Sequence, residues 1–259
     1  MGSEDGGLVL GRRRFLARMA GAGLAASRAT ASDSPRPEDD ATYRPTVMIR
    51  RGTSLGTGTV IASAGGGALV LTASHVVAGF GSILVEVNRF NLGVEKFRDA
   101  AGYPKRFEAA VVARDAGADL AILKVPGGVE FPYASQVGRG DATPPVGSPV
   151  TSIGFDKGAR LVGFATRVRS VDRVDLGKGG GMRPFLITDD PPEVGRSGGG
   201  LFRADGVLVG VCVGRIEMSK QATRGLFSTL ANIKALIRSD DAVAAAMARA
   251  TLGPRSPAR

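Results

Sequence analysis

The sequence has one cysteine, one histidine and no tryptophan. A lone Cys212 excludes any intrachain disulfide scaffold. A lone His75 excludes a zinc site assembled from several His and Cys residues. The aromatics are 11 Phe and three Tyr, and they offer no stacking platform for single-stranded nucleic acid. No apolar run reaches the roughly 20 residues of a permanent bilayer-spanning helix. Helical periodicity is also scarce. Only the stretch from about Leu230 to Ala250 shows it, with Ile233, Leu236, Ile237, Val243 and Met247 at three- and four-residue steps and a break expected at Ser239-Asp240.

What the chain has in quantity is glycine, 38 residues among 259, with 14 prolines. At 43% hydrophobic and 22% charged residues it is an ordinary globular chain, long enough for one large domain or two small ones. Short β-rich runs punctuated by turn residues fill the body. They include 47–50, 56–61, 68–72, 83–87, 107–112 and 120–125, then 149–154, 160–166, 168–174, 185–188, 199–202 and 207–213. Such a series predicts an all-β sandwich or barrels. No fixed-period repeat is visible.

The formal charge is +10, so a polyanion partner has to be weighed. Part of the excess belongs to the N-terminus. Arg12-Arg13-Arg14-Phe15-Leu16 precedes a weakly apolar Gly/Ala stretch and then Ala29-Thr30-Ala31, a small-x-small cleavage pattern. This is the build of a secretory signal, and the paired arginines resemble a twin-arginine signal. The expectation is an export signal over 1–31 and a periplasmic or extracellular protein, with no permanent membrane span after cleavage. A Ser/Pro/acid-rich flexible linker is expected over 32–44 and a loose tail over 251–259. The remaining arginines are scattered, so no nucleic-acid partner is expected.

Three segments carry chemistry. In Leu71-Thr72-Ala73-Ser74-His75 the histidine stands where a strand ends, a rigid mount for a general base. In Asp115-Ala116-Gly117-Ala118-Asp119-Leu120 an acid directly precedes an apolar strand. Taken alone it reads as a turn-capping Asp. In Gly195-Arg196-Ser197-Gly198-Gly199 a serine sits among glycines, where backbone amides can point at a developing oxyanion. The same segment fits the G-x-S-x-G elbow of α/β-hydrolases, but those run Ser, acid, His along the chain, and no histidine follows Ser197. The order His, Asp, Ser is that of the chymotrypsin-like enzymes.

Together these motifs resemble the trypsin-like serine proteases of the Deg/HtrA-like branch. Thr72-Ala73-Ser74-His75 is similar to the family's T-A/N-A-H, the stretch Asp115 to Lys124 to its D-x-x-x-D-L-A-(V/L)-L-K, and Gly195 to Gly199 to its G-N/D-S-G-G. Gly56-x-Gly58-Thr59, Val209-Gly210-Val211 and Leu226-Phe227-Ser228 support the match. The resemblance implies two six-stranded antiparallel β-barrels with a C-terminal helix. These would be an N-terminal barrel over 45–135 with His75 and Asp119, a C-terminal barrel over 136–229 with Ser197, and a helix over 230–250. It implies a serine endopeptidase with a His75-Asp119-Ser197 triad, an oxyanion hole of the Gly195 and Ser197 amides, and no metal or cofactor. Substrates would be unfolded or extended polypeptides, bound by Pro191, Pro192, Glu193 and Val194 together with Val211, Cys212, Val213 and Gly214. The apolar walls suggest an aliphatic P1 side chain. Glu193 or Asp190 would instead favour a basic one. Cys212 reads as a small buried hydrophobe. The oligomeric state stays open, a homo-oligomer included.

Arg196 departs from the family, which has Asn or Asp there, and so do Gly200 and the acidic approach Asp189 to Val194. No PDZ module is expected after the protease unit. The departures leave open a catalytically weak peptide-binding protein on the same fold.

Overall fold

The structure, a computed structural model, describes residues 39–63, 67–88, 104–127, 131–140, 143–219 and 222–252. The expected export signal, the linker as far as residue 38 and the tail from residue 253 lie outside the described residues.

Twelve strands and two helices follow one another along the chain. β1 (Thr46–Arg51), β2 (Ser54–Ser63), β3 (Gly67–Ala73), β4 (Ile83–Val87), β5 (Arg106–Asp115) and β6 (Leu120–Pro126) close into one antiparallel barrel. Its ring order is β1-β2-β3-β6-β5-β4. β7 (Pro149–Asp156), β8 (Arg160–Val174), β9 (Arg183–Thr188), β10 (Gly200–Phe202), β11 (Leu208–Ser219) and β12 (Ala222–Thr229) close into a second. Read from β7, its order is β7-β8-β9-β12-β11-β10, the same winding as the first.

Burial explains why the central strands are almost continuously apolar. β6 sends Ala121, Leu123 and Val125 into the first barrel. The alternate residues Leu120 and Ile122 enter a second cluster, shared with Ile153 and Phe202 of the other barrel and Ile233 and Leu236 of the helices. A strand clothed on both faces has no need of a polar side. Each fully buried Leu or Ile contributes about 1.5–3 kcal/mol. The second barrel has its own core, built on Val150, Val168, Leu186, Leu201 and Phe227.

The expected C-terminal helix is two, α1 (Leu230–Arg238) and α2 (Asp241–Leu252), with the break where it was expected. Thr229 caps α1 by accepting from the Asn232 amide. Asp240 Oδ1 caps α2, accepting from Val243 N–H at 2.9 Å. Ser239 closes α1, its backbone N–H donating to Ala235 C=O at 3.0 Å, and the adjacent Asp240 starts α2.

Three boundaries differ from expectation. Residues 39–44 are packed rather than loose: Asp39 Oδ1 accepts the Ala41 amide at 2.7 Å, and Tyr43 is buried. The runs 160–166 and 168–174 are one strand, β8, with a register shift between Val168 and Ser170. β12 has no alternation that marks it as a strand, because Leu226 and Phe227 are both buried, in different clusters.

Candidate active site

His75 follows β3 by two residues, on a turn in which Val76 N–H donates to Ala73 C=O at 3.2 Å and Ala78 N–H to His75 C=O at 3.3 Å. Its ring is partly open to solvent, 38% exposed. Asp119 ends the β5–β6 turn with a left-handed φ of 53°, a region non-glycine residues seldom enter. Asp115 makes that turn, its Oδ1 accepting the Ala118 amide at 3.0 Å. The turn-capping acid is therefore Asp115. Asp119 is free to face His75.

It does so with both oxygens. Asp119 Oδ2 lies 2.5 Å from His75 Nδ1, and Oδ1 accepts the His75 backbone N–H at 3.0 Å. The Asp119 carbonyl also accepts the Ser74 amide at 3.0 Å. Burial of this wholly enclosed carboxyl pushes its pKa up. The hydrogen bond and charge of His75, and then those of Lys178, outweigh it and hold the group below the usual carboxylate range.

Ser197 belongs to the second barrel but is tied to the first. Its carbonyl accepts the Thr57 amide at 2.8 Å. Thr57 Oγ1 donates to Gly195 C=O at 2.9 Å and accepts from Phe155 N–H at 2.9 Å. Gly198 (φ 86°) presses so close that a Cβ there would lie 2.1 Å from Thr57 C=O and 2.9 Å from Ala73 N. Only glycine fits. The serine is thus set beside the strand end that carries His75. Among the described residues the amides of Gly195 and Ser197 donate to no protein acceptor, whereas that of Gly198 is bonded to Cys212 C=O at 2.8 Å. The Val194 carbonyl accepts Lys157 N–H at 2.7 Å.

Arg196 does not disturb this loop. Its side chain is 2% exposed. It makes a two-point pair with Asp156, Nε to Oδ1 and Nη2 to Oδ2, the latter at 3.0 Å. Nη1 donates to Ser152 C=O at 3.0 Å, and the guanidinium lies 4.5 Å from the centre of the Phe164 ring. A planar fork satisfied on both tines suits a buried site.

The expected substrate-binding residues divide into two groups. Glu193 and Val194 are exposed beside the half-buried Pro191 and buried Pro192. Arg215 holds this segment through Pro192 C=O at 2.7 Å and the Glu193 carboxylate at 3.3 Å. The side chains of Val211, Cys212 and Val213 are buried in three different core clusters. Of the four residues expected on that strand, only Gly214 is half-buried rather than buried. Burial drives the Cys212 thiol up to about 12, so it is no nucleophile at neutral pH. No group of three or more His, Cys, Asp or Glu among the described residues is arranged to hold a metal. Thr57, Asp156 and Lys178 were not expected at the site. Thr57 had a signal, as the variable residue between two motif glycines. Asp156 and Lys178 had none.

A family model described as a trypsin-like peptidase domain matches residues 56–211. The chain belongs to that family. Among curated proteins, this trypsin-like peptidase is 32% identical over 174 residues to protease Do-like 14 of Arabidopsis thaliana, covering 65% of this chain and 37% of the relative. It is 28% identical over 166 residues to a periplasmic DegP-like serine endoprotease of Pseudomonas fulva, covering 62% and 29%. The chain therefore spans about a third of the length of these relatives. The Rv3671c protease of M. tuberculosis in its active form superposes with a TM-score of 0.64 at 26% identity, over 85% of this chain and 95% of that one. The HtrA-type protease AlgW with a tripeptide, 22% identical with a TM-score of 0.61 over 78% of this chain and 62% of that one, shares the fold.

Proposed function

We propose that this trypsin-like peptidase is a serine endopeptidase acting through His75, Asp119 and Ser197. The observation that carries the reading is the grip of Asp119 on His75. With Nδ1–H donated to Asp119 Oδ2 at 2.5 Å, the imidazole keeps Nε2 as its free base. Ser197 Oγ attacks the peptide carbonyl carbon as its proton passes to Nε2. The oxyanion is met by the amides of Gly195 and Ser197, one such donor being worth about 2.7–4 kcal/mol. The tetrahedral adduct collapses, the amine leaves with the proton from His75, and the acyl-enzyme is hydrolysed by water along the same path.

An inert peptide-binding module finds less support. Its rationale was Arg196, and that side chain is neutralised beneath the loop by Asp156. An extended polypeptide suits a cleft lined by backbone at Gly214 and the Pro191–Val194 segment. Glu193 is engaged by Arg215, which disfavours a basic P1, while the Val211 and Val213 side chains expected as apolar walls face the core. The leader over 1–31 supports export to the periplasm or beyond.

The test is hydrolysis of an unfolded protein such as reduced casein by wild type and Ser197→Ala. Cleavage by the wild type alone is expected. Equal cleavage by both, or by neither, overturns the reading.

A further inference from the structure

Lys178 lies in the β8–β9 loop, Asp175 to Met182, on the second barrel. Its Nζ donates to Asp119 Oδ1 at 2.9 Å, so a cation from one barrel reaches the acid partner of the histidine on the other. The approach depends on two glycines. A Cβ on Gly180 would fall 2.1 Å from Gly117 Cα, and one on Gly117 would fall 2.5 Å from Gly180 Cα. Both obstacles are backbone and cannot turn aside. At the loop's end Arg183 comes within 3.9 Å of Asp115, so the loop and the Asp119 turn are held at two points.

We propose that Lys178 is a positioning residue. Its ammonium keeps Asp119 aimed at His75 and, as a positive charge on the His75–Asp119 pair, opposes the proton that the pair takes up as the pH falls, which extends the working range of the enzyme toward acid. The inference rests on the serine-endopeptidase reading.

The surroundings of Asp119 single out this role. The carboxylate is wholly buried, and burial favours its neutral form. Two of its three donors come from His75, whose ring carries charge only when protonated and so adds none while it serves as the base. Arg114, near the end of β5, is committed to Ser74 Oγ at 2.6 Å. Asp115 is committed to the Ala118 amide and faces Arg183 of β9. Cys212, on β11, has its thiol pushed up by burial and stays neutral. Lys178 is thus the cation in direct contact with Asp119 among the described residues. A neutral donor could fill the same lone pair, but the ammonium adds its charge to the hydrogen bond, and both favour the ionised carboxyl.

The lysine also has space beside it. With Arg114, Asp115, Gly117 and Leu236 it borders a cavity of about 340 Å³.

The experiment is peptide hydrolysis across the pH range by wild type, Lys178→Met, Lys178→Arg and Gly180→Ala. Lys178→Met should move the acid limb of kcat/KM up by about one pH unit, a loss of about tenfold on the acid side. KM and the alkaline rate should change far less. Lys178→Arg should recover most of the shift. Gly180→Ala, which lifts the loop while keeping the lysine, should reproduce the Lys178→Met profile, and the double variant should go no further. An equal loss at every pH, a profile that superposes on wild type, or a Gly180→Ala profile without the shift would overturn the role. A wild type that hydrolyses nothing at any pH would instead overturn the endopeptidase reading beneath it.

Discussion

Thr57 of the first barrel donates through Oγ1 to the carbonyl of Gly195 in the loop Gly195 to Gly199 of the second, at 2.9 Å. The same oxygen accepts Phe155 N–H, so one hydroxyl joins β2, β7 and that loop. Thr57→Val keeps the shape and removes both bonds, leaving the amide of the buried Phe155 unpaired. Stability should fall by about 1–3 kcal/mol, read as a lower urea midpoint at unchanged slope. kcat should drop while KM holds. A variant with wild-type stability and rate would show that the barrels align the loop without this bond.

Arg196 and Asp156 form the loop's buried anchor. Removing the cation strands a carboxylate that is only 24% exposed. Arg196→Met should cost about 3 kcal/mol, and Arg196→Lys, which loses the fork, should recover only part of it. Urea denaturation of the three proteins decides the matter.

Gly198 has both a positive φ and no room for a side chain. Gly198→Ala should leave the two-barrel fold intact by circular dichroism. Hydrolysis should fall by at least about a hundredfold, because the strain and clash displace Ser197 from its place near His75. Activity close to wild type would contradict the geometry drawn for the loop.

Asp119 holds its charge below the ordinary carboxylate range. A carboxyl depressed on folding adds stability above its unfolded pKa and loses it as the pH falls through the folded value. The native protein should therefore lose stability on acidification more steeply than Asp119→Asn. That variant presents the wrong hydrogen-bonding partner to His75 Nδ1, and its kcat should fall by about 10⁴. Parallel acid-unfolding curves for the two proteins would remove Asp119 as the linked group.

The motifs in the sequence pointed to His75, Asp119 and Ser197, each at a strand end or among glycines, and the structure brings the first two into contact. The number of barrels came from resemblance. Periodicity could not supply it, since strands such as β6 are buried on both faces and show no alternation. The shared winding of the barrels left no repeat in the sequence, because ring order depends on backbone pairing and many apolar sequences satisfy it. Lys178 was invisible for a related reason. A lysine among glycines reads as a solvated loop until folding lays that loop against Gly117, some sixty positions away along the chain.

The central claim is that Ser197 is an activated nucleophile. Treating the purified protein with a fluorophosphonate probe and locating the adduct by mass spectrometry tests it most directly. One adduct is expected, on Ser197, lost in His75→Ala and absent after denaturation. A folded wild type that takes up no probe, or one labelled equally in His75→Ala, would contradict it.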